Sequence, residues 1–190
     1  MTQAPVEAAT DYEVVADDVL VMAAVAQPSE FGHLYERYLP RVYRYMLSRT
    51  GSRDDAADLT QIAFTRAFDG LTGYRSDRAP FVAWLFRIAR NTAIDAHRRR
   101  RTSVSWSGLP EALTAADVAG PEAIAQKRER LAALRALLKR LDPATRELLA
   151  LRFAGDLSSR EIAAVTGKTE AAVKKQLTRI IANLREYYRD

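Results

Sequence analysis

Wherever this chain carries a hydrophobic period, the period is that of an α-helix. No stretch alternates apolar and polar residues as a half-buried strand does. Residues 31–48 place Leu34, Tyr38, Val42 and Tyr45 at spacings of four, four and three. A second helix is predicted over residues 54–68, with Asp54, Asp55 and Asp58 in its first turns, where the helix dipole favours acids. A polar loop, residues 71–80, ends in a proline, and a long helix follows from Phe81 to about Arg100. The exception is residues 102–126, which hold Gly108, Pro110, Gly120 and Pro121 and sustain no helical period, as a flexible linker would. Beyond it a helix is expected from near Pro121 to Leu141. Asp142-Pro143 then starts another, the acid as N-cap and the proline at the first helical position. Gly155 closes that helix, Ser158-Ser159-Arg160-Glu161 forms a capping box, Gly167 ends the short helix it opens, and Thr169 caps the last. The expected fold is all-α. Two small helical domains, residues 13–101 and 127–190, are joined by the linker 102–126 and preceded by a disordered acidic tail, residues 1–12.

Charge is segregated along this framework. Residues 1–30 carry six acids and no base, and residues 31–101 carry 14 bases against 7 acids. Residues 102–126 carry three acids and no base, and residues 127–190 carry 15 bases against 8 acids. Two basic modules in one chain suggest a polyanion, most simply nucleic acid, contacted at two places. Other classes drop out. With no cysteine there is no disulfide, thiolate chemistry or Cys-based metal site, and His33 and His97 lie too far apart for a local ligand pair. No apolar run approaches the ~18 residues of a membrane span, and residues 1–30 lack the basic start of a signal peptide. A soluble, intracellular chain is expected.

On a wheel of 100° per residue, Phe81, Trp84, Leu85 and Ile88 form one face of the long helix. Arg87, Arg90, Asn91, Arg98 and Arg101 form a basic stripe about 100° wide on the other. Such a stripe suits phosphates along a strand, and Asn91 adds a donor–acceptor pair able to read a base edge. Trp84 is expected in the core. Tyr74 and Arg75, in the preceding loop, are better placed to hold an unstacked base. Residues 159–179 fit a helix-turn-helix: Ala163 is small where helices cross, Gly167 supplies positive φ in the turn, and Val173 faces inward. Ile162, Val165, Val173 and Leu177 form its small core, and Glu170, Lys174, Lys175, Thr178 and Arg179 point outward as on a recognition helix. Arg160, on the first helix, joins the candidate duplex contacts. Gly167-Lys168-Thr169 has the tail of a phosphate-binding loop, but Ile162 stands where its first glycine must be. No catalytic constellation is present, so neither an enzyme nor a cofactor or metal site is expected.

These residues resemble the sigma-70 family of bacterial transcription initiation factors, in its extracytoplasmic-function (ECF) group. The resemblance covers about residues 17–101 and 129–189. Residues 81–101 (FVAWLFRIARNTAIDAHRRRR) are similar to the segment that opens the −10 element, and residues 141–184 to region 4, which reads the −35 element. Residues 55–68 (DAADLTQIAFTRAF) are similar to the helix that docks on the coiled coil of the polymerase β′ subunit. The resemblance implies roles by position. Asp58, Leu59, Gln61 and Phe64 match the docking motif, its polar members facing polymerase. Tyr74, Arg75 and Asn91 match the capture of a flipped-out −10 base, whose unstacking costs a few kcal/mol. Lys174, Lys175 and Arg179 match recognition-helix positions. The implied partners are core RNA polymerase (β′ coiled coil and β flap), promoter DNA and an anti-sigma factor, met in the bacterial cytoplasm and, when active, at the nucleoid. Two features depart from the family pattern: Ile62 follows the motif's glutamine where an acid is usual, and the recognition helix reads Ala172-Val173-Lys174-Lys175-Gln176. Two other readings stay open at this point, a dimeric operator-binding regulator and an adaptor that binds only proteins.

Overall fold

The computed structural model describes residues 15–100, 136–138 and 140–187. The acidic tail, the linker and most of the helix expected over 121–141 lie outside the described residues. Within them every regular element is helical. Helix α1 is Asp17–Ala26, α2 Phe31–Thr50, α3 Arg53–Asp69 and α4 Phe81–Arg100. After the gap come α5, Pro143–Leu149, continued by a π turn at Ala150–Ala154, then α6, Ser159–Thr166, and α7, Glu170–Tyr187.

Helix α2 is the spine of the first domain. Phe31, Leu34, Tyr38, Val42 and Tyr45 line its buried side, as their spacing requires. It ends at Gly51, whose φ of 71° is the left-handed cap that a side chain would strain. Ser52 then caps α3, its hydroxyl accepting from the Asp55 N–H at 3.3 Å. Helix α3 packs on α2 and α4 through small residues, Ala56, Ala63 and Ala67, with Leu59 and Phe64 filling between them. The Thr60 hydroxyl is buried there and is satisfied by donating to the Ala56 carbonyl. Helix α1 has no counterpart among the helices read from periodicity. It is held by its first residue: Asp17 accepts from both Arg37 and the Tyr38 hydroxyl of α2.

The apolar face of α4 is wider than the wheel suggests. Val82, Phe86, Ala89 and Ala93 are buried beside Phe81 and Leu85. The reason is tertiary: α2 and α3 cover one side of the helix, and α6 and Gly155, just past the π turn, cover the other. One continuous core therefore runs through both domains.

Burial also fixes three tyrosines in their neutral form. Desolvation chiefly, with Asp17 next, raises Tyr38; desolvation, then the Glu147 carboxylate, raises Tyr45 well above 10. Tyr74 is pushed up to about 12 by burial and then by Asp18 and Asp17. A group raised in the folded state contributes stability that is complete below its unfolded value, about 10 for tyrosine, and is lost as pH rises through the folded value. In an alkaline titration followed by tyrosinate absorbance, these three are expected to ionise late and together with unfolding. One smooth transition of all eight tyrosines near pH 10 would contradict this packing.

Candidate nucleic-acid interface

The helix-turn-helix is built from local rules that the structure satisfies one by one. Ser158 Oγ accepts from the Glu161 N–H at 3.2 Å, and Glu161 Oε2 accepts from the Ser158 N–H at 2.7 Å, closing the capping box of α6. Gly167 turns the chain at φ 70°, its N–H and that of Lys168 both reaching the Ala163 carbonyl. Thr169 Oγ1 accepts from the Ala172 N–H at 3.2 Å and starts α7. Ile162, Ala163, Val165, Val173, Leu177 and Ile180 are buried between α6, α7 and the elements beneath them. Replacing Ser158 by alanine removes one half of the box and is expected to cost about 1 kcal/mol. Urea denaturation checks this as a lowered midpoint with an unchanged slope.

Burying that side of α7 leaves the other outward. Lys174, Lys175, Thr178 and Arg179 are all exposed, and Lys174 pairs with Glu170 one turn earlier at 2.6 Å. That pair holds the Glu170 carboxyl below its usual range. Arg160 is exposed at the start of α6. With Arg152, Ser158, Ser159, Lys174 and Thr178 it lines a shallow concavity between the N-terminal turn of α6 and the flank of α7. Glu170, Leu177 and Ile181 complete the lining, so cations and hydroxyls stand there beside one carboxylate and two apolar side chains.

In the first domain Arg87, Asn91 and Arg98 are exposed along α4, one face as the wheel placed them. Two of the expected contacts are placed differently. Tyr74 is not an open stacking ring: it is buried against Phe81 and Trp84, with centroids at 5.6 and 5.4 Å, and its hydroxyl donates to the Ala79 carbonyl at 3.0 Å. A ring whose hydroxyl can be satisfied inside a turn gains more from burial than from solvent. What the loop presents is Arg75, exposed and folded back onto the Thr72 and Tyr74 carbonyls. Trp84 is half-buried, its ring forming one wall beneath that loop. Arg90 has left the stripe: its Nε lies 3.7 Å from Glu147 Oε1 of the second domain.

On α3, Asp58 and Gln61 face out, with Gln61 Nε2 donating to the Tyr35 hydroxyl at 3.0 Å. Leu59 and Phe64 face in, Phe64 packing on Phe31 and Tyr35. Ile62 and Phe68 add apolar surface beside the polar pair. Among the described residues no three His, Cys, Asp or Glu side chains come together as a metal site, and no helix is long and apolar enough to cross a membrane.

The residues that periodicity passed over are those joining the domains. Glu147 is buried in α5 with Tyr45, Arg49 and Arg90 around it. Arg41 and Arg44 of α2 donate to the carbonyls of Ala154, Gly155 and Asp156. A lone acid between Arg146 and Leu148 carries no period that would single it out.

A basic helix-turn-helix carried on a helical bundle with its own cationic helix is the architecture of a DNA-binding transcription protein. Residues 34–103 match the family model of Sigma-70 region 2, and residues 131–184 that of Sigma-70, region 4. The chain is 34% identical over 168 residues to the ECF RNA polymerase sigma factor BldN of Streptomyces coelicolor, covering 88% of this chain and 63% of BldN. It is 33% identical over 177 residues to the RNA polymerase sigma factor CnrH of Cupriavidus metallidurans, covering 89% of this chain and 92% of CnrH. The solved structure of CnrH in complex with the cytosolic domain of CnrY matches with a TM-score of 0.67 and 28% identity, over 92% of this chain and 97% of that one. The chain belongs to the sigma-70 family, in its ECF group.

Proposed function

We propose that this chain is a promoter-specificity subunit of RNA polymerase with no chemistry of its own. Its second domain, residues 127–190, grips the −35 duplex and its first, residues 13–101, opens the −10 element. The observation that carries this reading is the division of α7 into a buried side and an exposed side bearing Lys174, Lys175, Thr178 and Arg179. A helix so divided lies in a major groove with its cations on phosphates and its neighbours on base edges. Arg160 and the hydroxyls beside it hold the flanking backbone. On α4, Arg87, Asn91 and Arg98 meet the displaced strand, and Arg75 at the loop takes the flipped base. Tyr74 serves that base as the wall on which the loop is built.

The exposed pair Asp58 and Gln61, with Ile62 and Phe68 beside it, is the surface offered to core polymerase on the β′ coiled coil, and the second domain meets the β flap. Polar anchors beside a small apolar patch are the composition of a protein interface. CnrH was solved with the cytosolic domain of CnrY, and an anti-sigma factor of comparable role is proposed for this chain, acting in the cytoplasm with the active protein at the nucleoid. In vitro transcription with core polymerase on a library of randomised promoters tests the reading. Transcripts that depend on the protein and share two spaced upstream elements support it. Binding of a duplex operator by the protein alone, with no dependent transcript, replaces it with a regulator.

A further inference from the structure

Packing redraws the cationic face of the first domain at both of its edges. On the wheel the stripe of α4 runs from Arg90 at one edge to Asn91 at the other. In the structure the first edge is taken, because Arg90 faces Glu147. The second edge gains a cation from another helix. Arg66 of α3 reaches across onto α4, where its Nη1 donates to Thr92 Oγ1 at 3.1 Å and lies 3.4 Å from Asp95 Oδ2. Thr92 is fully buried, so its hydroxyl is a fixed anchor. Asp95 is the only acid of α4 and stands one turn from both Asn91 and Arg98. The guanidinium is thereby set beside two exposed residues already read as strand contacts. Arg99, one turn past Asp95, is exposed as well.

We infer that Arg66 is a phosphate contact of the first domain, leading a nucleic-acid single strand off α4 and across α3. This rests on the reading of α4 as a nucleic-acid contact. One nitrogen, Nη1, makes both contacts of the guanidinium, which leaves its Nε and Nη2 edge outward. That edge is the fork that holds two phosphate oxygens at once. The side chain of Arg66 is 42% exposed and that of Asp95 48%, so the pair between them is a weak, solvated one that a phosphate displaces. The bond to Thr92 is neutral and survives the exchange, so the arginine is ordered before the strand arrives and little rotamer freedom is lost on binding. The path follows from the two edges. A strand leaving α4 past Arg90 meets the carboxylate of Glu147, whereas one leaving past Asn91 meets the exposed cations Arg66 and Arg99. Arg66 also stands one turn past Ile62, so the path ends where the polymerase face of α3 begins.

Anisotropy of fluorescein-labelled single-stranded DNA of mixed sequence, titrated with the full-length chain over a salt series, tests the assignment. A Lys174→Ala, Lys175→Ala, Arg179→Ala background keeps α7 out of the signal. Each phosphate contact on a single strand contributes about 0.7 to the slope of log affinity against log salt. Arg66→Ala is therefore expected to lower the slope by about 0.7 and to weaken binding about fivefold at 0.1 M salt. Arg66→Lys is expected to restore the slope, because the charge returns, but only part of the affinity, because the fork does not. A cation in the last turn of α3 also complements that helix's dipole. Loss of that role lowers the urea midpoint of Arg66→Ala and leaves the salt slope where it was. Arg87→Ala is the reference for α4 itself, expected to lower the slope by the same amount of about 0.7. An unchanged slope for Arg66→Ala beside a lowered one for Arg87→Ala overturns the inference and leaves the reading of α4 standing. Unchanged slopes for both, or no binding by the parent, remove that reading and the inference with it. An unchanged slope together with weakened binding to core polymerase gives Arg66 to the polymerase face instead.

Discussion

Lys174→Ala, Lys175→Ala and Arg179→Ala combined are expected to weaken duplex DNA binding about 500-fold at 0.1 M salt. Each phosphate neutralised releases about 0.9 counterion, so three lost contacts remove about 2.7 from the slope of log affinity against log salt. At 0.1 M salt the same 2.7 is the loss in log affinity. The three side chains are exposed on one side of α7 and contribute nothing to the core beneath, so folding is retained. Lys174 is the weakest of the three singly, because it gives up its 2.6 Å pair with Glu170 to reach a phosphate. Such an exposed pair is worth under about 1 kcal/mol, which trims that contribution without cancelling it. Fluorescence anisotropy over a salt series reads both numbers. A fall in affinity with an unchanged slope would mean that these side chains do not lie on phosphates.

Phe86→Ala is expected to cost about 3–5 kcal/mol of stability, a large share of the roughly 5–15 kcal/mol of a typical fold. Phe86 is fully buried, edge-on to Tyr45 at 5.6 Å on one side and pressed by Gly155 on the other. Truncation opens a cavity bounded by two rigid helices and a turn tied down by Arg41, which cannot collapse to fill it. The ring also carries the contact between domains, so the same substitution loosens both at once. Urea denaturation followed by circular dichroism measures the loss. A cost below about 1 kcal/mol would show that the ring spends its time in water, with the two domains apart.

These two residues sets stand at opposite ends of what periodicity can reveal. The exposed side of α7 was legible because Val173, Leu177 and the turn at Gly167 leave the recognition positions nowhere else to point. Capping is as local: Ser52, Asp142, Ser158 and Thr169 each bond an N–H two or three residues ahead, and such bonds are written in neighbouring letters. Phe86 was not legible as a seam residue. Its position on the wheel falls between the apolar face and the basic stripe, and only a second domain laid against α4 makes that direction interior. Tyr74 shows the converse, a loop aromatic that suits base stacking by sequence and is buried because Phe81 and Trp84 receive it.

Helix positions, caps, turns and the division of α7 into two sides follow from the order of residues, since each depends on partners within about one or two turns. The partner of Arg90 does not. It is a carboxylate 57 positions away in sequence, brought within 3.7 Å by the packing of the π turn on α2 and of α6 on α4. The same charge reads as a free DNA contact in the sequence and as one side of an ion pair with a distant helix in the structure, because ion pairing between distant segments is decided by tertiary packing and leaves no local period behind.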